Sequence, residues 1–516
     1  MIWSYVIICL YALSMVFIAL YTRKRAKSVN DFLLAGKKGL NGWMSAFSYG
    51  TTYFSAVIFI GYAGKFGAQF GLASIWIGVG NAIFGALLAW ILLAKRTKNM
   101  TRRLSAKTMP EFFEKRYDSK SLKLVSAVII FLFLIPYSAS VYNGLSSLFE
   151  IVFGIDGWIV MLCLAVLTAL YLCFGGYFAT ALSDFIQGII MLIGVALMVF
   201  SFLNDAHVNW DLSKLTSDVN KTWFTFNSTS TGIYGSTVSL LSLVLLTSFG
   251  VYGLPQTVHK YYAVRDRKSI NQGIIVSTIF ALIIGFGAYF TGALSGLFPE
   301  FANVGGDNII PEMLNLVIKN GIPGLIGIIA VLILSASMST LASVSLSSAS
   351  VVAVDIYKGK INKNASDNNV NWTMRILCLV FVVISVVIAI LNDIYQISAI
   401  AYLMGLSWGT LAGCFIGPYV FGLYSKRVTK SAVWVSIIGT LILTVTLIFV
   451  LGYNYYGFNC TVGQALKQGV ACSPLIGVIC MAYSMISTFI VSRFTKPPKQ
   501  EVIEESFLKP IENEII

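Results

Sequence analysis

Ser48-Tyr49-Gly50-Thr51-Thr52-Tyr53-Phe54-Ser55 interrupts an apolar segment with small, hydroxylated and glycyl residues, and Gly61 and Gly64 follow it. A second interrupted segment reads Thr247-Ser-Phe-Gly-Val-Tyr-Gly-Leu-Pro-Gln256. Irregular backbone at membrane depth is tolerated where it lines protein or a watery cavity, because lipid offers its polar groups no partner. The two breaks therefore point to a site inside a helical bundle. They lie five apolar segments apart, and an odd offset inverts the direction of crossing, as two inverted five-helix repeats require. The competing explanation is that Gly and Pro are ordinary in membrane helices.

The rest of the chain fits a bundle in lipid. Hydrophobic residues make up 57%, charged residues 11%, and the mean hydropathy is +0.80, which excludes a soluble enzyme. Apolar runs predict thirteen spans at roughly 2–22, 41–64, 70–95, 122–149, 157–175, 179–203, 236–261, 272–297, 322–350, 373–392, 396–423, 431–452 and 473–493. The net charge of +14 would suggest nucleic acid in a soluble chain, but here it maps onto loops. With the N-terminus outside and the C-terminus cytoplasmic, only Lys65, Lys214, Lys221, Lys319 and Lys467 of the 36 basic residues fall outside. The first span lacks a basic leader and is followed at once by Arg23, Lys24 and Arg25, so it reads as a retained span rather than a cleaved signal.

This predicts an all-α polytopic membrane protein of about thirteen transmembrane helices. Residues 1–496 form one transmembrane domain, with inverted repeats roughly 41–203 and 236–423, and residues 497–516 form a cytoplasmic tail. The tail gains Glu501, Glu504, Glu505, Glu512 and Glu514 and reads as frayed. The polar stretch Lys95 to Lys120, with Pro110, reads as a surface helix and loop against anionic headgroups. Cys460 and Cys472 share a predicted external loop and are a possible disulfide; the sequons at Asn220, Asn227 and Asn459 fall on the same side.

Val331 to Ser350, VLILSASMSTLASVSLSSAS, sets nine hydroxyls into a membrane-length run. Ala336, Ser339, Thr340, Ser343 and Ser347 recur at helical spacing and form one stripe. Such a stripe can offer oxygens to a sodium ion, with carbonyls freed at the second-span break completing the set; close helix packing by small residues is the alternative. Asp184, in Leu182-Ser-Asp-Phe-Ile-Gln187, opens a strongly apolar span, where a carboxylate can relay a cation or simply bond near a helix end.

Several segments together resemble the sodium/solute symporter family. They are Thr108-Met-Pro-Glu-Phe-Phe-Glu-Lys-Arg-Tyr117, Phe174-Gly-Gly-Tyr177 followed by Ser183-Asp-Phe-Ile-Gln187, and Met338-Ser-Thr340 followed by Asp355-Ile-Tyr-Lys358. Gly253-Leu-Pro-Gln-Thr257 and Gly417-Pro through Gly422-Leu-Tyr-Ser-Lys-Arg427 look closest to its pantothenate-permease and proline-symporter branches. The resemblance implies a leucine-transporter-type core of five plus five inverted helices, preceded by one helix and followed by two. It also implies sodium as coupling ion, with no organic cofactor. Carried over, the sodium ligands are the carbonyls of Thr51, Phe54 and Ala336 with the hydroxyls of Ser339 and Thr340, and Asp184 and Ser343 lie on the ion path. Sialic-acid members place further serines on this span; Ala342 lacks the oxygen, which disfavours a second sodium.

The solute pocket is expected between the two breaks, near Tyr53, Ser55, Ser248, Tyr252 and Gln256, with Tyr142, Asn143 and Ser407 as further candidates. For any one of these, interhelical packing is the competing role. Without a fixed charge there, the expected solute is neutral, zwitterionic or a monocarboxylate. His259 and Lys260 are expected near the cytoplasmic end of the seventh span, in an interface role. The function so read is sodium-coupled symport of a small organic solute by alternating access. The alternative is a membrane sensor on a transporter fold; no HExxH or GxSxG context supports an enzyme.

Overall fold

The computed structural model describes residues 2–22, 28–34, 36, 39–216, 222–224, 235–301, 304–319, 324–395, 397–457 and 459–510. Arg23, Lys24, Arg25, Asn220, Lys221, Asn227, Glu512 and Glu514 lie outside them.

Among the described residues, eleven helices are long and apolar enough to cross a membrane. One of them, Val57–Arg103, turns at Gly71 and carries both the second half of span 2 and all of span 3. A shorter apolar helix, Gly157–Cys173, precedes Gly175–Leu203. The thirteen expected crossings are thus accounted for. Spans 5 and 6 are separated at Gly176, whose φ of 59° and ψ of −169° fall in a region essentially open only to glycine.

Both expected interruptions are present. In span 2 the helix Gly42–Tyr53 ends at Phe54, which takes extended backbone (φ −100°, ψ 97°), and a second helical stretch resumes at Val57. In span 7 the helix Gly235–Phe249 passes through a tight turn at Gly250–Tyr252, and Pro255–Ala263 follows with its proline in the first turn, where a missing N–H costs least. Span 9, Leu325–Ser350, is the central element: 89% of its apolar window is buried, against 28% for span 1. It packs on spans 4 and 6 and on the first half of span 2, which places its hydroxyl stripe against protein rather than lipid.

Two peripheral segments differ from the sequence reading. Met109–Tyr117 buries Pro110, Phe112, Phe113, Arg116 and Tyr117 instead of lying open on headgroups. Its N-cap Thr108 donates to Asp355 Oδ2 (2.8 Å), and Arg116 donates to the carbonyls of Gly422 (3.0 Å) and Ser425 (2.7 Å). Apolar residues on one face of this short helix, invisible to a polarity average, hold it against the bundle. The tail is helical through Gln500–Ile503 and Glu504–Leu508, with Ser506 buried and the Phe507 ring 5.0 Å from the Arg116 guanidinium. Among the described residues no disulfide joins Cys460 to Cys472, and Cys472 Sγ donates to the Gln468 carbonyl (3.3 Å).

Candidate functional site

The first break and the hydroxyl stripe meet. Ser339 Oγ lies 3.0 Å from the Thr51 carbonyl and 3.2 Å from that of Ala336; Thr340 Oγ1 lies 3.3 Å from the Thr51 carbonyl and 3.4 Å from that of Thr52. Every one of these residues is buried. Oxygens about 3 Å apart have the spacing of a shell around a hard cation at about 2.3–2.6 Å, the range of calcium–oxygen bonds. Helix Gly42–Tyr53 ends at this point, so its last carbonyls lack an intrahelical donor and are available. Of the ligands expected from sequence, Thr51, Ala336, Ser339 and Thr340 converge. Phe54 sits at the break with its N–H bonded to the Gly50 carbonyl, and the Thr52 carbonyl joins that of Thr51 in approaching Thr340.

Asp184 is fully buried and accepts from Ser48 Oγ at 2.5 Å. It therefore faces the first half of span 2 rather than capping a helix end. Lys260, expected at an interface, is 2% exposed and reaches Ser48 Oγ (2.9 Å), Ser343 Oγ (2.8 Å) and Asp184 Oδ2 (3.5 Å). Ser343 Oγ is in turn 2.8 Å from Thr52 Oγ1. His259 packs edge-on against Tyr177.

The solute candidates divide. Tyr53 Oη donates to the Thr247 carbonyl (2.7 Å), joining the two breaks, and its ring stacks on Trp408 at 6.0 Å. Ser248 Oγ and Thr247 Oγ1 both donate to Asn81 Oδ1 (3.3 and 2.7 Å). Tyr252 Oη donates to the Phe84 carbonyl (2.9 Å), and Ser55 Oγ accepts from the Val57 N–H (3.3 Å), so these two polar atoms serve the scaffold. Asn143 bonds Ala389 and Asn392, and Ser407 donates to Phe133, which gives both an interhelical role.

Gln256 differs, because both its amide oxygen and its amide nitrogen are buried without a hydrogen-bond partner among the described residues. Among the described residues Tyr142 Oη and Asn81 Nδ2 are also buried without a partner, and Tyr137 Oη lies beside Ser55, Thr340 and Trp408. A buried polar atom left unpaired costs about 1–3 kcal/mol, so such atoms mark places where a ligand or water belongs. Trp408 packs between Tyr53 and Tyr137, 5.6 Å from the latter. Gly253 brings span 7 against span 11, where a Cβ would fall 2.9 Å from the Ile416 nitrogen. Sequence reasoning missed Trp408, Tyr137 and Asn81, since an aromatic or amide within an apolar run carries no periodic signal separating pocket from packing. A separate cavity of about 410 Å³ is lined by residues that include Lys65, Gln69, Tyr402 and Lys467.

Two broken helices crossing beside a buried cage of oxygens define an ion-coupled secondary transporter of the leucine-transporter fold. The chain belongs to the sodium:solute symporter family, whose model matches residues 32–439. It is a multi-pass membrane protein that carries out sodium-coupled symport of a small solute.

It is 29% identical over 499 residues to the osmoregulated proline transporter OpuE of Bacillus subtilis, covering 95% of this chain and 94% of the relative. It is 31% identical to a sodium/proline symporter of Haemophilus influenzae, covering 83% of this chain and 84% of the relative. Among solved structures, a Na+-coupled sialic acid symporter in a substrate-bound outward-open state superposes with a TM-score of 0.75 over 96% of this chain and 99% of the other, at 19% identity. That likeness concerns the fold.

Proposed function

We propose that the solute is proline or a compact zwitterion like it, taken inward with sodium bound by the carbonyls of Thr51, Ala336 and Phe54 and the hydroxyls of Ser339 and Thr340. The observation that carries the ion site is the convergence of Ser339 and Thr340 on the Thr51 carbonyl. The solute lies between the breaks, against Tyr53, Trp408 and Tyr137, with Gln256 offering an unpaired amide. Its carboxylate is received by the backbone N–H groups that follow Pro255 in the first turn after the second break rather than by a side-chain cation. Relatives named as proline transporters over nearly the whole chain support this solute class.

The N-terminus is outside and the C-terminus cytoplasmic, so that Lys65 and Lys467 face out while Lys98 and Arg102 face in. Residues 41–203 and 236–423 act as the two inverted repeats of one transport domain. One sodium crossing about 100 mV releases roughly 2.3 kcal/mol, and a tenfold gradient adds about 1.4 kcal/mol. Together these sustain accumulation of an uncharged solute by a few hundredfold.

The test is uptake of labelled proline into proteoliposomes under an inward sodium gradient and under a matched potassium gradient. Accumulation only with sodium supports the reading. Sodium-dependent stabilisation of the purified protein by another solute of a small panel, with none by proline, moves the assignment to that solute.

A further inference from the structure

A carboxylate with no exposed surface, such as Asp184, costs several kcal/mol to bury as an ion unless a positive charge accompanies it. Here that charge comes from the protein. Lys260 projects from Pro255–Ala263, the helix after the second break, and its three ammonium hydrogens meet three oxygen acceptors: Ser48 Oγ, Ser343 Oγ and Asp184 Oδ2. Two hydroxyls and a carboxylate are also what a small hard monovalent cation takes as ligands. The ammonium stands about one helical turn from the sodium cage. Ser343 follows Ser339 by a turn of span 9, Ser48 precedes Thr51 by nearly a turn of span 2, and the Ser343–Thr52 hydroxyl contact links the two clusters. Asp184 Oδ1 accepts no hydrogen bond among the described residues, so the carboxylate keeps a free oxygen beside the ammonium.

We infer that Lys260 is a tethered cation: its ammonium fills a monovalent-cation position formed by Asp184, Ser48 and Ser343, leaving the Thr51–Ala336–Ser339–Thr340 cluster as the only position that exchanges sodium. This deepens the proposed sodium reading and rests on it. One sodium then accompanies each solute. Removing the ammonium while keeping the carboxylate converts its position into a second sodium site, because the remaining oxygens and the negative charge are otherwise uncompensated.

The experiment is a sodium titration of the melting temperature of purified protein, paired with sodium-dependent uptake in proteoliposomes. The variants are Lys260→Met and the double variant Lys260→Met/Asp184→Asn. For wild type we expect one-ion behaviour and a Hill coefficient of about 1. In Lys260→Met the slope of melting temperature against log sodium should rise about twofold, with a Hill coefficient moving toward about 2. The double variant should return to one-ion behaviour. If Lys260→Met folds in sodium but not in potassium, the same conclusion follows, because a free ion then replaces the tethered one.

Two-ion behaviour in wild type overturns the inference. So does an unchanged slope in Lys260→Met, or its failure to fold in either salt. A wild type whose stability and uptake ignore sodium altogether sinks the symport reading instead, and the two failures are thereby distinguishable.

Discussion

At the scale of single residues, the proposed sodium site rests on short contacts from two hydroxyls. Thr340→Ala removes one oxygen and leaves the Thr51 carbonyl with Ser339 alone. The expected result is a rise of about tenfold in half-saturating sodium, equivalent to about 1.4 kcal/mol, with little change in protein abundance. Uptake measured across sodium concentrations at fixed solute checks it; an unchanged half-saturation would move the ion elsewhere. Ser339 and Thr340 were legible in the sequence because helical spacing is a local property. Lys260 was not. A lysine near a helix end ordinarily extends its ammonium toward water, and its true partners sit on three other spans, at positions 48, 184 and 343. Trp408 and Gln256 show the same limit: one was overlooked and the other named without its distinguishing feature, the unpaired amide, which only the packed bundle reveals.

At the scale of elements, both breaks were readable from their glycines, hydroxyls and proline, since these residues weaken a helix wherever it runs. Which element each break meets was not readable. Gly253 is a case in point, because its Cα faces the backbone of span 11, with a would-be Cβ 3.0 Å from Ala412 Cα and 2.9 Å from the Ile416 nitrogen. Gly253→Ala should force the two spans apart, lower stability by about 1–3 kcal/mol and reduce maximal uptake more than it changes sodium affinity. A melting curve beside an uptake saturation curve separates the two effects, and full activity at wild-type stability would show that the contact yields easily. The helix Met109–Tyr117 and the tail helices were misread for a related reason: their polar averages hide the few apolar side chains, such as Phe112 and Phe507, that dock them.

At the scale of the whole molecule, the connections between spans carry their own chemistry. His207, in the segment after span 6, bonds Asp205 through Nδ1 (2.7 Å) and faces Glu300 through Nε2 (3.2 Å), tying two loops together. The Asp205 hydrogen bond is the main influence raising its pKa above 6.5, with the charges of Asp205 and Glu300 adding and burial opposing. The folded value lies above the unfolded one, so this stabilisation is complete below the unfolded value and is lost as pH rises through the folded one. Wild type should therefore lose more melting temperature than His207→Gln between about pH 6 and about pH 9. Equal pH profiles would remove the loop clasp from the account.

The bond from Tyr53 to the Thr247 carbonyl bears on how such a molecule can move. It joins the end of the helix before the first break to the end of the helix before the second, so the two interrupted spans cannot slide past each other without breaking it. A rocking motion that keeps this bond carries the two breaks together, and one that separates them gives up about 1 kcal/mol at this contact.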